Sequence, residues 1–220
     1  MNPTTDFSIR SIKGGYDDNF TYIVTCSHTG SQLIIDAAIN LGIISPYLRQ
    51  EPAALFITHS HGDHIAHIND YVGSFPKLSV VCHPNSSVAN SEWNTIPIDE
   101  NQSINVGQLT FKAIHTPGHY FDSICFQLEN VLFTGDTLFV GRTGRTISER
   151  SSIKDLYSSV YDKILTLPGN TRIYPGHDYG PKASITLDEN KEISPLLNAE
   201  GLDDFVHRMD EYEKNRTIGS

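Results

Sequence analysis

The chain is short of the residues that would tie it to a membrane, a nucleic acid or an oxidising compartment. Its three cysteines, Cys26, Cys82 and Cys125, are far apart and odd in number, which gives no disulfide framework. Each lies in an apolar, strand-like run, so buried free thiols are expected, and a reducing cytoplasm suits them. No apolar stretch approaches the roughly 20 residues of a spanning helix. The opening residues, Met1-Asn2-Pro3-Thr4-Thr5-Asp6, lack the basic and apolar blocks of a signal peptide. Basic residues are scarce, 16 against 26 acidic, for a formal net charge of −10. That balance argues against nucleic acid or an anionic membrane as the main partner. Internal repeats, low-complexity tracts and domain-splitting linkers are also missing. What remains, 38% hydrophobic and 19% charged residues in a chain of 220, suits a globular protein, and one domain spanning 1–220 is expected.

Strand-like runs recur at Thr21 to Cys26, Gln32 to Asp36, Ala54 to Thr58, Leu78 to Cys82, Leu109 to Ile114, Ser123 to Leu128, Val131 to Thr134 and Thr171 to Tyr174. Turn signals such as Pro76, Gly107 and Asn130 separate them. A stripe of Ile153, Leu156, Tyr157, Val160, Tyr161, Ile164 and Leu165 has helical spacing, with Ser152 and Asp155 resembling a capping box and Pro168-Gly169 as the stop. Leu202, Phe205, Val206, Met209 and Tyr212 predict a C-terminal amphipathic helix packed on the core. Strands and helices are mixed throughout, which predicts a layered α/β fold.

The chemistry is concentrated in Thr58-His59-Ser60-His61-Gly62-Asp63-His64, directly after the apolar run Ala54-Leu55-Phe56-Ile57. Three imidazoles and a carboxylate in six positions are too polar for a core. Neutral imidazole and carboxylate are the ligands that zinc, iron and manganese take. His59 and His61 share one side of an extended segment, whereas Asp63 and His64 would point apart. One cluster therefore requires a turn, which Gly62 is expected to permit, and a helix is predicted to open near His64.

Three further strand ends repeat the pattern: Ile114-His115-Thr116-Pro117-Gly118-His119, Leu132-Phe133-Thr134-Gly135-Asp136 and Ile173-Tyr174-Pro175-Gly176-His177. Each sets a metal-ligating residue on a loop held by a rigid strand. Beside each stands a glycine expected to allow close backbone approach.

Taken in order, Thr58-His59-x-His61-x-Asp63-His64, Thr116-Pro117-Gly118-His119, Gly135-Asp136 and Gly176-His177 resemble the signature of the metallo-β-lactamase fold over essentially the whole chain. The resemblance implies a four-layer αββα sandwich with metals at one edge. It places one metal on His59, His61 and His119, and a second on Asp63, His64 and His177, with Asp136 bridging. His115 falls outside the pattern, supporting a ligand or the fold. His67 is expected to be exposed, and His28, His83 and His207 to be ordinary.

Gly135-Asp136-Thr137-Leu138-Phe139-Val140-Gly141 with Gly144-Arg145 looks like the glyoxalase II type of glutathione-thioester hydrolase. Leu156-Tyr157-Ser158-Ser159-Val160, Leu167-Pro168-Gly169 and Tyr174-Pro175-Gly176-His177-Asp178-Tyr179 resemble the persulfide dioxygenases. Both relatives usually carry Gly-Cys-Gly where this chain has Arg142-Thr143-Gly144, and the dioxygenases continue with Thr-Asp-Phe where it has Thr146-Ile147-Ser148. The hydrolase reading, ranked first, implies two divalent metals, zinc before iron or manganese. They would share a hydroxide that attacks a thioester while Asp63 and Asp136 hold the pair and orient the nucleophile. The dioxygenase reading implies a single Fe(II) on His59, His119 and Asp136. Arg145 with Arg142 is expected to meet a substrate carboxylate bidentately, a solvated basic loop being the alternative, and Tyr179 is the third expected substrate contact. The partner is a small thiol-derived molecule, with a homodimer allowed. A metal-binding module without catalysis is a third class that the full ligand set disfavours.

Overall fold

In the computed structural model, which describes residues 6–218, the strands form two six-stranded mixed sheets. The first runs β1 (Phe7–Lys13), β2 (Phe20–Cys26), β3 (Gln32–Ile35), β4 (Ala54–Phe56), β5 (Ser79–Cys82) and β6 (Thr95–Pro97), antiparallel up to β3 and parallel beyond it. The second comprises β7 (Ser103–Val106), β8 (Leu109–His115), β9 (Ile124–Leu128), β10 (Val131–Gly135), β11 (Arg172–Pro175) and β12 (Ile185–Thr186), with β10 and β11 parallel and the rest antiparallel. Helices α1 (Leu41–Ile44) and α2 (Ile68–Ser74) belong to the first half. Helices α3 (Ile153–Ser158), α4 (Leu187–Ile193) and α5 (Leu202–Ile218) belong to the second.

Strand alternation builds the layers. Tyr22 and Val24 of β2, Leu33 and Ile35 of β3, and Ala54 and Phe56 of β4 face the other sheet, where they meet Phe111, Phe126 and Phe133. Their neighbours Ile23, Ile34 and Leu55 point the other way, onto Ile44, Ile68 and Tyr71 of the first helical layer. On the outside of the second sheet, Ile114, Leu132 and Ile173 pack against Leu156, Val160, Leu187, Phe205 and Met209. Strands buried on both faces read as continuous apolar runs, which is why these were legible. Three cores make four layers, the expected αββα sandwich. Phe56 sits at the centre, with ring centroids 5.1 Å from Phe111 and 4.7 Å from Phe126. Cutting it to alanine would cost roughly 3–5 kcal/mol.

All eight expected strands form within two residues of their expected bounds. The sequence reading missed β1, β6, β7 and β12, which lie at or near sheet edges and carry polar residues such as Ser8, Arg10, Ser11 and Lys13 of β1. The predicted helix at 153–165 is α3 continued as a π-helical segment, Ser159–Ile164, and the Ser152 hydroxyl accepts from the Asp155 amide at its start. The helix expected near His64 opens only at Ile68. The His64 carbonyl accepts from the Ala37 amide (2.9 Å) and the His67 amide donates to the Ala37 carbonyl (3.0 Å). With those groups engaged across the layer, the first turn of a helical ladder cannot start at His64. All three cysteines are free and buried. Among the described residues no helix is long and apolar enough to cross a membrane.

Candidate metal centre

β4 delivers the chain to Thr58, where the ligand loop is fastened at several points. Asp36, just past β3 with φ +59°, accepts from the Thr58 amide and from the Thr58 hydroxyl, both at 2.8 Å. The Ile124 amide of the other sheet donates to the Thr58 carbonyl (2.7 Å), and the Ser60 amide donates to Asp122 Oδ1 (3.3 Å). The loop turns back at His61, whose carbonyl accepts from the His64 amide (3.1 Å). Gly62 does not explain that turn: its φ lies outside the left-handed region, and a Cβ there would meet open space. The glycines that matter stand on the opposite strands. Gly135 has φ +47°, and a Cβ on Gly176 would come within 2.2 Å of Asp136 Oδ1 and 2.7 Å of His64 Cε1.

The structure brings together all seven residues expected as ligands. His61 Nδ1 lies 2.9 Å from His59 Nε2 and 3.0 Å from His119 Nε2. His64 Nε2 lies 3.3 Å from His177 Nε2 and 3.6 Å from Asp63 Oδ2, and His177 Nε2 is 3.3 Å from that same oxygen. Asp136 stands between the groups, with Oδ1 3.2 Å from His64 Nε2, and Oδ2 3.5 Å from His119 Nε2 and 3.3 Å from His177 Nε2. Nitrogens bound tetrahedrally at about 2.0–2.1 Å to one ion lie roughly 3.3–3.4 Å apart; the second group is close to that spacing, and the first is a few tenths of an ångström tighter.

The outward ring nitrogens fix the tautomers. His64 Nδ1 is 2.7 Å from Asp36 Oδ2, His119 Nδ1 2.8 Å from the Arg145 carbonyl, His177 Nδ1 2.8 Å from the Asp17 carbonyl, and His59 Nδ1 3.2 Å from the Thr58 hydroxyl. A carbonyl or carboxylate there requires a proton on Nδ1 and leaves the Nε2 lone pair for the centre. Asp136 Oδ1 is buried without a hydrogen bond. Convergent lone pairs and an unsatisfied buried carboxylate oxygen are the donor set of a cation, and the residues fit divalent metal.

Charge separates the two groups. Burial holds His59, His61 and His119 below the ordinary imidazole value, aided at His59 by His64 and at His61 by His119, with His61 near 4. These rings are neutral at pH 7. Burial also pulls on His64, but the Asp136 and Asp36 carboxylates outweigh it and raise that ring well above its ordinary value. Burial of His177 is outweighed by its hydrogen bonds to Asp136 and Asp63, which raise it to about 9. Burial would raise both carboxyls; instead His177 and His64 hold Asp63 and Asp136 below the usual carboxylate range. In the metal-free protein, protons on His64 and His177 thus balance charge that a divalent ion would neutralise.

Over the centre opens a cleft of about 290 Å³, whose outer wall includes Tyr16, Asp17, Arg145, Ile147, Ser148 and Tyr179. Two of the three expected substrate residues, Arg145 and Tyr179, line it. Arg142 lines a smaller neighbouring recess with Phe139, Thr143 and Tyr212, and His119, Asp136, Arg145 and Tyr179 border both. Tyr120 packs its ring 4.0 Å from that of His61. His115 lies outside the seven-residue centre: its Nε2 meets the Phe121 carbonyl at 3.0 Å, and Lys163 donates to its backbone carbonyl. His83, expected to be ordinary, is buried and stacks on His115 at 4.2 Å. His67 pairs with Asp70 at 3.4 Å, while His28 and His207 are exposed.

Two contributors escaped the sequence reading. Asp36 orients His64, and its one signal was a carboxylate ending an apolar strand, the same pattern that flagged Asp136. Asn19, fully buried, donates to Asp63 Oδ2 (3.1 Å) and lies 3.3 Å from His177 Nε2. Nothing but a polar residue ahead of a long apolar run marked it.

The sequence profile of the metallo-beta-lactamase superfamily matches residues 14–177, the span that contains every one of these ligands. The chain belongs to the metallo-beta-lactamase superfamily. Within the superfamily it is 30% identical over 219 residues to the probable hydroxyacylglutathione hydrolase glo2 of Schizosaccharomyces pombe, covering 93% of this chain and 80% of the relative. It is equally 30% identical over 197 residues to the mitochondrial persulfide dioxygenase ETHE1 of Mus musculus, covering 87% and 76%. The crystal structure of ETHE1 from Myxococcus xanthus superposes with a TM-score of 0.81 at 29% identity, over 92% of this chain and 90% of that one. This metallo-beta-lactamase-fold chain is thus similar to enzymes of two different activities.

Proposed function

We propose that the chain is a two-metal hydrolase of a small thioester, with a glutathione conjugate as the substrate class. The observation that carries the reading is the complete second group, in which Asp63, His64 and His177 hold their donor atoms 3.3–3.6 Å apart. It offers a second ion a full donor set; the dioxygenase reading draws on the same residues, so metal stoichiometry and oxygen dependence separate the two. His59, His61 and His119 would hold one ion, and Asp63, His64 and His177 the other, with Asp136 between them. Bound there, divalent metals supply an acidified water as nucleophile and a Lewis-acidic contact for the thioester carbonyl.

The chain's own residues do the rest. Asp36, Asp17 and the Arg145 carbonyl keep three imidazoles in the tautomer that presents Nε2. Asn19 orients the Asp63 carboxylate beside the reacting position. Arg145 offers a guanidinium at the cleft wall for a substrate carboxylate, and Tyr179 completes that wall. The setting proposed is a reducing cytoplasm, supported by three buried thiols.

Thiol release from a glutathione thioester, titrated against added metal, tests this reading. Cleavage that saturates at two metal equivalents, with no oxygen uptake on glutathione persulfide, is the expected result. Rapid oxygen uptake at one equivalent of iron would replace it with the persulfide dioxygenase reading, which the TM-score of 0.81 at 29% identity to ETHE1 from Myxococcus xanthus supports. Metal bound without either turnover would leave a binding module.

A further inference from the structure

Arg142 does not line the main cleft, and its side chain is engaged in the neighbouring recess. Nη1 donates to the Tyr212 hydroxyl on α5 (3.0 Å), and the guanidinium carbon lies 3.9 Å from the centre of the Tyr179 ring and 5.5 Å from that of Phe139. The turn that carries it is rigid. The Phe139 amide donates to the Arg142 carbonyl (2.8 Å), while Asn190 of α4 accepts from the Gly141 amide (2.7 Å) and donates to the Phe139 carbonyl (2.9 Å).

Tyr179 passes this support to the centre. Its ring stacks on His177 with centroids 4.7 Å apart and planes within 5°. Its hydroxyl donates to the Asp17 carboxylate, and the Asp17 carbonyl accepts from His177 Nδ1 (2.8 Å). His177 is therefore held at its outer nitrogen by one atom of Asp17, and across its face by a tyrosine that another atom of Asp17 fixes. A guanidinium over an aromatic ring is attracted to the ring quadrupole, and the attraction grows where water is excluded, as in this half-buried recess.

The geometry points to Arg142 as a positioning residue for His177, acting through Tyr179 and itself anchored by Tyr212 on the C-terminal helix. Substrate carboxylate recognition then falls to Arg145, the arginine of the pair that lines the cleft. The assignment rests on the two-metal reading, in which His177 serves the second ion.

The test is stepwise zinc binding to wild type, Arg142→Ala, Arg142→Lys and Tyr212→Phe by chelator competition, with KM for a glutathione thioester measured at saturating metal. Residues that orient a metal ligand typically change affinity by about 10–100-fold. Arg142→Ala should weaken the second zinc by that factor, leave the first within about twofold and leave KM unchanged. Tyr212→Phe, which keeps the ring and removes the hydrogen bond, should weaken the same zinc by a smaller factor. Arg142→Lys, which keeps the cation over the ring, should recover part of the loss. A raised KM with unchanged zinc affinities would return Arg142 to the substrate side and overturn the proposal. Equal weakening of both zincs with a lowered Tm would make the role merely structural. A wild type that takes up one zinc would remove the two-metal reading and this assignment together, whereas two zincs in wild type, both kept in Arg142→Ala, would remove this assignment alone.

Discussion

Replacing Asp36 with asparagine is a sharp perturbation, because shape and backbone are kept and only the charge logic changes. Asp36 sits at φ +59°, a left-handed conformation that asparagine tolerates, so the variant adds no backbone strain. The wild-type carboxylate accepts three hydrogen bonds, from the Thr58 amide (2.8 Å), the Thr58 hydroxyl (2.8 Å) and His64 Nδ1 (2.7 Å). An asparagine oxygen can keep the Thr58 amide, which turns the NH₂ group toward His64. That donor can be met only if His64 Nδ1 becomes the acceptor, so the ring proton moves to Nε2 and points into the centre. Losing a hydrogen bond to a charged group costs about 1.5–3 kcal/mol. For a chain of this size that is a fall in the metal-free Tm of roughly 3–12 °C. The misplaced proton should also weaken the ion held by Asp63, His64 and His177 by about 10–100-fold. Calorimetry of the metal-free protein and chelator competition on the loaded one read the two effects separately. Unchanged Tm and unchanged affinities in Asp36→Asn would refute the claim that this carboxylate sets the His64 tautomer.

His119→Ala and Asp136→Ala should each abolish metal-dependent turnover while the far-UV circular dichroism stays that of the parent; full activity with unchanged metal content would sink the ligand assignment. The two metal positions should differ in pH dependence. His59, His61 and His119 are all held below the ordinary imidazole value, His61 near 4, so the first position should bind with little proton release at pH 7 and above. His177, near 9, and His64, also raised, hold protons that ligation must expel, so affinity at the second position should rise as pH climbs from 6 toward 9. Calorimetry in buffers of different ionisation enthalpy counts those protons, and equal counts at the two positions would contradict the charge separation. Gly176→Ala would force a methyl to within 2.2 Å of Asp136 Oδ1, and should cost about 1–3 kcal/mol in urea denaturation together with loss of tight metal binding.

Much of this was written plainly in the chain. Ligands on the ends of apolar strands advertise themselves, since an imidazole or carboxylate bounding a run such as Ala54 to Ile57 has little other business there. The layers were legible because most of these strands are buried on both faces and read as largely apolar runs, while Leu109 to Ile114 alternates apolar and polar residues. What stayed hidden depends on partners far off in sequence. Arg142 reads as a substrate-binding cation until Tyr212, 70 residues away, is found at its nitrogen. Asn19 gains its meaning from His177, and His64 fails to open a helix because Ala37 takes its carbonyl. Gly62 shows the reverse error: a glycine in a turn invites a conformational explanation that its own φ does not need.

In the proposed pairing, each ion draws two ligands from the loop after β4 and at least one from the opposite sheet, His119 for the first and His177 for the second. Neither half of the sandwich owns a full set. A newly made chain can therefore hold metal tightly only after its halves have docked, so loading comes last and its binding energy closes the fold at that edge. Which ion the finished protein carries then depends on the metals at hand where folding ends as well as on the imidazole and carboxylate donors that meet there.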